Sequence, residues 1–445
     1  MIKAIHRAVS CAVCAAVVAS QLVGCGGGAT TQTSTAQIQA PSSPSDPRLT
    51  SVQSESSTRW GAAGASDQTY VSGLTISSDG GIWVTRVQTG LFGNSVLHKV
   101  GGNGSNPCGE AGRVITELSD QFERQIAVKF PSPVRSGGFL SVGTGVAARF
   151  VVRFLESTCA LDPDWGNQGW IAVPTNAGFL THTGYGLKET PDGRYLVWFN
   201  YPGRTELRRL NGDGSWDSSF GSGGLLPMPA GFVMGGVTFD SNGDLVLVGA
   251  REITSFDKMA MMIRADPDGR LSQAFGTAGV KDISGIGSRM ASIGEPLVDG
   301  DRVIVISNHQ DSPALQDVWT TDSVIAAIDK WTGELVPGFG VNGVYRWDWG
   351  FNNINSVGSL EKNGRGGYTM AGHTMVSLLV GQSLALVDVT ADGRPDEAVG
   401  YQGRRLVQPT GAAQLTSSLT LPDGRRVLGA VDGQQAVVLT LAAGS

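Results

Sequence analysis

Apolar and polar positions in this chain fall into short apolar runs separated by Asx-Gly turns, and the order recurs. Residues 236–249 read GVTFDSNGDLVLVG: an apolar strand, a turn at Asn242-Gly243 and a second apolar strand. An Asx-Gly pair between two such runs predicts a tight hairpin, because its turn needs φ > 0 at the central positions. A third strand follows at 259–265 (MAMMIRA), a turn at Asp268-Gly269, and a fourth strand opens at 279–283 (GVKDI). The hairpin turn recurs at Asp79-Gly80, Ser136-Gly137, Asp192-Gly193, Asp299-Gly300, Asn363-Gly364 and Asp423-Gly424. First and second strands rich in Val, Ile, Leu and Trp predict strands covered on both faces.

Before each fourth strand stands one signature: a bulky residue, Gly, two variable residues and Gly. Its copies begin at Trp60, Cys108, Trp165, Phe220, Phe275, Phe339 and Val399, and their first glycines step by 48, 57, 55, 55, 64 and 60 residues. A period of this size means a repeat architecture. Four strands in about 55 residues match one propeller blade. The expected fold is therefore all-β, a seven-bladed β-propeller with four-stranded blades. The chain stops after the third strand of its last unit, and the body opens at Arg59-Trp60-Gly61, the element missing there. The N-terminal strand after WGAAG is thus predicted to close the last blade and remove an open sheet edge. The signature glycines are expected to take φ > 0, and the aromatic of five copies to wedge between blades.

The first 57 residues have another character. Lys3, His6 and Arg7 precede an apolar stretch, 8–22, shorter than the ~20 residues that span a bilayer. It ends in Leu22-Val23-Gly24-Cys25, which resembles a bacterial lipobox. That resemblance implies a signal peptide over 1–24 and a lipid-bearing Cys25 that anchors the protein to a membrane. In a two-membrane cell envelope, Gly26 in place of Asp implies sorting to the outer membrane. Residues 25–57 have too few large apolar groups to offset ordering entropy and are read as the acylated Cys and a disordered tether. The propeller body is placed at 58–445.

Gly at 63 of 445 residues with 16% charged residues suits an all-β chain full of tight turns. Without Lys3 and Arg7, 31 basic residues face 39 acidic ones, a net charge of −8. This argues against a nucleic-acid partner. Cys11 and Cys14 lie in the leader. Cys108 and Cys159 sit in corresponding loops of neighbouring repeats and are candidates for a disulfide in an oxidising compartment. Of the mature histidines (His98, His182, His309 and His373), His309 and His373 follow second strands and are candidates for one rim. The pairs Asp162/Asp164, Asp266/Asp268 and Asp299/Asp301 suit turn capping, acid–base catalysis or Ca²⁺. Asp240-x-Asn242-x-Asp244 begins like a calcium loop but lacks the closing Glu. Trp347, Trp349 and Phe351 form the densest aromatic cluster, a candidate binding rim or blade core. No catalytic residue, cofactor site or metal site is read from the sequence.

The stretch RRLNGDGSWDSSFGSGG, residues 208–224, strongly resembles the delta-60 repeat. Residues 264–279 and 153–169 match it less fully, and the other units match mainly at glycine. The resemblance implies a β-propeller of a bacterial envelope or secreted protein and no catalytic set. A second resemblance, to quinoprotein-type propellers and outer-membrane assembly scaffold lipoproteins, occurs once, in AAIDKWTG at 326–333. The expected function is a monomeric envelope lipoprotein serving as a protein- or glycan-binding scaffold. The competing expectation is an envelope carbohydrate-active enzyme with its site at the central channel.

Overall fold

The computed structural model describes residues 50–60, 69–88, 94–102, 106–109, 112–114, 127–133, 137–144, 149–174, 184–254, 257–287, 290–310, 321–347, 355–377, 381–408, 413–433 and 435–444. The expected leader, Cys25 and tether residues 26–49 lie outside them. Among the described residues the chain is all-β. Antiparallel meanders follow one another at 69–114, 127–172, 184–210, 232–283, 290–347, 355–408 and 413–441. Their second strands are apolar because both faces are covered: all of Tyr195–Tyr201 is buried, as is Leu245–Ala250.

Each meander packs face to face on the next. Leu140 and Val142 meet Val197 and Phe199; Leu196 and Leu207 meet Leu245 and Leu247; Val246 and Val248 meet Val303 and Val305. Ile304 and Ile306 meet Met370 and Val387, and Leu384 and Leu386 meet Leu428 and Leu439. The cycle closes where Val427 and Val438 of the last meander meet Val71 and Val84 of the first, which in turn packs through Trp83 on Phe139 and Phe150. Closed face-to-face packing of successive sheets is the arrangement of a β-propeller. Burying each of these aliphatic side chains contributes roughly 1.5–3 kcal/mol.

The expectation of four strands in every unit needs correction. The 184–210 sheet has three strands, and its fourth shrinks to isolated bridges at Leu225 and a hydrogen bond from Leu226 N to Leu207 O, 3.1 Å. The 290–347 sheet has five, because its first strand is broken between Ile293 and Leu297, where Pro296 lacks the N–H a ladder needs.

The closing strand also differs from expectation. It is Thr50–Trp60, so it ends where WGAAG begins and starts inside the stretch read as tether. Ser54–Trp60 pairs antiparallel with Gln435–Leu441, while Thr50–Gln53 pairs parallel with Arg405–Gln408 of the preceding sheet. This strand is mostly polar and half exposed, so apolar burial leaves little trace in its sequence; the open ladders of two neighbours recruit it.

The signature aromatics wedge between sheets. Trp165, Phe220, Phe275 and Phe339 are all buried. Each ring lies under the turn of the following repeat: a Cβ on Gly269 (φ +80°) would stand 2.8 Å from the Phe220 ring, and one on Gly393 (φ +73°) 2.5 Å from Phe339. The first signature glycine then donates to that turn, Gly221 N to Asp268 O at 2.7 Å and Gly340 N to Asp392 O at 2.7 Å. In the first repeat Cys108 stands where the ring would be. Cys159, at φ 58°, stands where the turn glycine would be, and the two form a disulfide with Cα atoms 5.3 Å apart. A covalent bond thus replaces the ring-on-glycine contact.

Candidate functional site

The hairpin turns and the turns that precede each signature share one rim, and charged side chains are sunk into it. Arg209, 2% exposed, donates Nε to Asp217 at 2.9 Å and lies over the Phe220 ring at 4.7 Å. Arg264 holds Asp240 at 2.7 Å and Asp244 at 3.2 Å. Asp388 is buried between Arg405, Arg365 at 3.0 Å and the Thr369 hydroxyl at 2.6 Å. Buried carboxylates persist only when paired in this way. Burial by itself would raise the Asp217 carboxyl, but hydrogen bonds from Ser219 and Arg209 overrule it and hold it at about 2. At Asp244 burial prevails: together with the neighbouring Asp240 charge it pushes the carboxyl up against the pull of Arg264.

Trp331 stands out on this rim. It is 48% exposed; the other large apolar side chains exposed among the described residues, Ile253 and Val341, are aliphatic. Asp329 Oδ1 accepts its backbone N–H at 3.0 Å, and Asp301 Oδ1 accepts its indole Nε1–H at 3.2 Å. Arg264 lies 4.4 Å and Lys330 Nζ 4.7 Å from the ring centroid. Both cations are almost fully buried, with side chains 5% and 7% exposed, so they occupy the inner side of the ring. The indole is a lid on two buried cations, and its outer face meets solvent. Cation–π attraction and the Asp301 hydrogen bond fix it there without a conformational search. Glu334, at the end of the same turn, pairs with Lys281 at 2.6 Å.

The sequence-derived candidates fall elsewhere. Trp347 is 4% exposed and packs in the core with Val357 and Leu406, stacked on Tyr345 at 5.8 Å. Of the two readings of Trp347, binding rim and blade core, this burial fits the core and corrects the rim: the strand Val344–Trp347 turns its first and last residues inward. Trp349, Phe351 and His182 lie outside the described residues. His309 and His373 lie within strands, Arg302–Gln310 and Tyr368–Ser377, not after them. His309 is buried with Ser307 Oγ 2.8 Å from Nε2. Among the described residues no three His, Cys, Asp or Glu side chains group as a metal site.

The carboxylate pairs serve turns and ion pairs. Asp162 Oδ1 accepts Asp164 N at 3.1 Å, and Asp266 Oδ1 accepts Asp268 N at 2.9 Å and Arg270 N at 2.8 Å. Asp240 Oδ1 accepts Asn242 N at 2.9 Å and Asp244 N at 3.1 Å, so the calcium-like spacing is a turn cap. Asp299 accepts from Tyr368 at 2.6 Å and Lys362 at 2.6 Å; Asp301 serves Lys330 and Trp331. AAIDKWTG at 326–333 is distinctive in the sequence, but the exposure of its Trp is not. The one available signal was the length of that turn, which carries one more residue than Asp266–Gly269.

Burial pushes the imidazoles of His98 and His373 down to about 4, with Arg86 adding to the effect at His98. Between pH 6.5 and 4 the unfolded chain therefore binds protons that the native chain refuses, and stability falls as pH falls. Each histidine is expected to remove roughly 1–2 kcal/mol by pH 5. Denaturant midpoints at pH 7.5 and 5 check this; His98→Asn with His373→Asn should flatten the dependence.

No family model and no curated protein matches the chain. Among solved structures it is similar to a protein of unknown function from Dyadobacter fermentans, at 11% identity over 88% of this chain and 99% of that one, with a TM-score of 0.46. It is similar to Drosophila Semaphorin 2a, at 8% identity over 89% and 77%, with a TM-score of 0.49. It is also similar to an ulvan lyase of polysaccharide lyase family PL25, at 12% identity over 69% and 82%, with a TM-score of 0.44.

Proposed function

We propose that this chain is an outer-membrane lipoprotein anchored through Cys25, and that its body is a seven-bladed β-propeller of the delta-60 type. The body serves as a binding and scaffolding platform for a protein or glycan ligand. The seven meanders with their cyclic apolar contacts support the blade count, with Thr50–Trp60 as the outer strand of the last blade. The lipobox-like Leu22–Cys25 supports the anchor. The observation that carries the binding role is Trp331: a half-exposed indole, rigidly seated among charged side chains, presents a planar apolar face with polar groups at its edge. Such faces stack on sugar rings and anchor protein contacts.

The test uses the lipidated protein in its native cells, with crosslinking, affinity purification and mass spectrometry, followed by glycan-array binding of the purified protein. Trp331→Ala is expected to weaken the captured ligand at least tenfold, about 1.4 kcal/mol or more. Its melting temperature should stay within a few degrees, because half the side chain is already in water. Undiminished binding in Trp331→Ala would sink this assignment. Cys25→Ser should move the protein from the membrane to the soluble fraction.

A further inference from the structure

The hairpin turns of the fourth and sixth meanders have the same length and the same closing bond, Asp240 N to Asp244 O at 3.0 Å and Asn363 N to Gly367 O at 2.9 Å. Leu245 and Tyr368 therefore hold the same position, first in the second strand. Tyr368 reaches the hairpin of the preceding meander. Its ring is buried, 6.2 Å from the Phe339 ring; its hydroxyl donates to Asp299 at 2.6 Å and accepts from Arg302 Nη2 at 3.1 Å. A guanidinium of the preceding meander caps the next turn in both places: Arg302 Nη1 donates to Ala391 O at 2.8 Å, and Arg209 Nη1 to Pro267 O.

Leu245 carries no ring, and a cavity of about 140 Å³ lies between it and the hairpin residues Thr190–Asp192 of the third meander. Pro191, Pro267, Phe239 and Leu245 form apolar walls, and Asp192 and Arg209 are the charged groups at its lining. Leu245 and Arg209 are buried, whereas Pro191, Asp192 and Pro267 are exposed, so the cavity opens to solvent on the rim of turns. An apolar cavity of about 150 Å³ is large enough to take up a benzene ring.

We propose that this cavity binds a single phenol ring, which lies against Pro191, Pro267 and Phe239 and donates its hydroxyl to Asp192. The volume admits one six-membered ring and excludes an indole. Two proline rings and a phenyl ring offer flat faces that a planar ring covers and a puckered one does not. The sixth meander supplies such a ring from within through Tyr368. The ion pair of Asp192 with Arg194 is no obstacle, since Asp299 accepts from the Tyr368 hydroxyl while it holds Lys362 and Arg302. Arg209 is occupied by Asp217 and Pro267 O, which leaves Asp192 as the acceptor. The site does not involve Trp331, and a protein that binds nothing through the indole retains it.

The probes are p-cresol and 4-methylcyclohexanol, which has the same hydroxyl and methyl group on a puckered ring. Both are titrated into the full-length protein by saturation-transfer NMR. A Kd of about 1 mM is expected for p-cresol, with 4-methylcyclohexanol severalfold weaker. Asp192→Ala should weaken p-cresol severalfold. Leu245→Tyr, which supplies the ring from within, should abolish its binding. Nα-acetyl-tyrosine N-methylamide separates the two sources of the ring: affinity equal to that of p-cresol assigns a tyrosine side chain of a partner, and binding of p-cresol alone assigns a free phenol. Absence of p-cresol binding, equal affinity for the puckered ring, or full binding to a folded Leu245→Tyr variant would overturn the proposal. Should Leu245→Tyr not fold, unchanged p-cresol affinity in Asp192→Ala would overturn it as well.

Discussion

Removal of residues 50–60 is expected to abolish the cooperative unfolding transition of the body and to drive it into oligomers. Thr50–Gln53 completes the ladder of Arg405–Gln408, and Ser54–Trp60 that of Gln435–Leu441. Val52 and Trp60 also pack against two different apolar clusters, and Arg59 pairs with Asp432 at 2.6 Å. Loss of the Trp60 contact alone removes about 3 kcal/mol, and each lost backbone bond about 0.5–1.5 kcal/mol. The sum exceeds about 5 kcal/mol, which is comparable with the whole stability of many domains. The deletion also opens two strand edges, and open edges template association. Thermal melts with sedimentation velocity are the measurement. An unchanged melting temperature and a monomeric variant would show that the ring closes without this strand. Deletion of 61–68 alone, which leaves the pairing residues in place, is the control and should have the smaller effect.

The second large effect is expected from the disulfide. Cys108 and Cys159 are 51 residues apart, and a crosslink over such a loop restricts the unfolded chain by about 4 kcal/mol. The Cys108→Ser, Cys159→Ser protein should lose stability of that order, read from denaturant midpoints at constant slope. The loss has a specific place. Neighbouring repeats hold the same junction with a ring under a turn glycine, so two serines leave it with neither bond nor ring. Cys108→Phe with Cys159→Gly, which restores the pattern of Phe220 and Gly269, should recover part of the loss. A change below about 1 kcal/mol in the double-serine protein would remove the disulfide from the stability argument. Thiol titration of denatured, unreduced mature protein should find neither cysteine free.

Sequence by itself determined the all-β character and the repeat. Asx-Gly turns must lie between strands, because few other pairs tolerate their backbone, and alternation of such turns with runs like Leu245–Ala250 allows little but stacked hairpins. The wedge was legible too, since a bulky residue followed by Gly-x-x-Gly at a fixed period needs a recurring close approach. What tertiary structure decided is whatever depends on a partner distant in sequence. Thr50–Trp60 is polar, and only the open ladders at Arg405 and Gln435 make it a strand. Gln168, Ala278, Asn342 and Gln402 take φ of 51–54° although they are not glycine, because the surrounding turn imposes it. Trp347 and Trp331 look alike in sequence. The first is core because its strand turns it toward Val357 and Leu406; the second is exposed because buried Arg264 and Lys330 fill the space beneath it. Burial of an aromatic is set by what already occupies its interior side, and one chain segment carries no record of that.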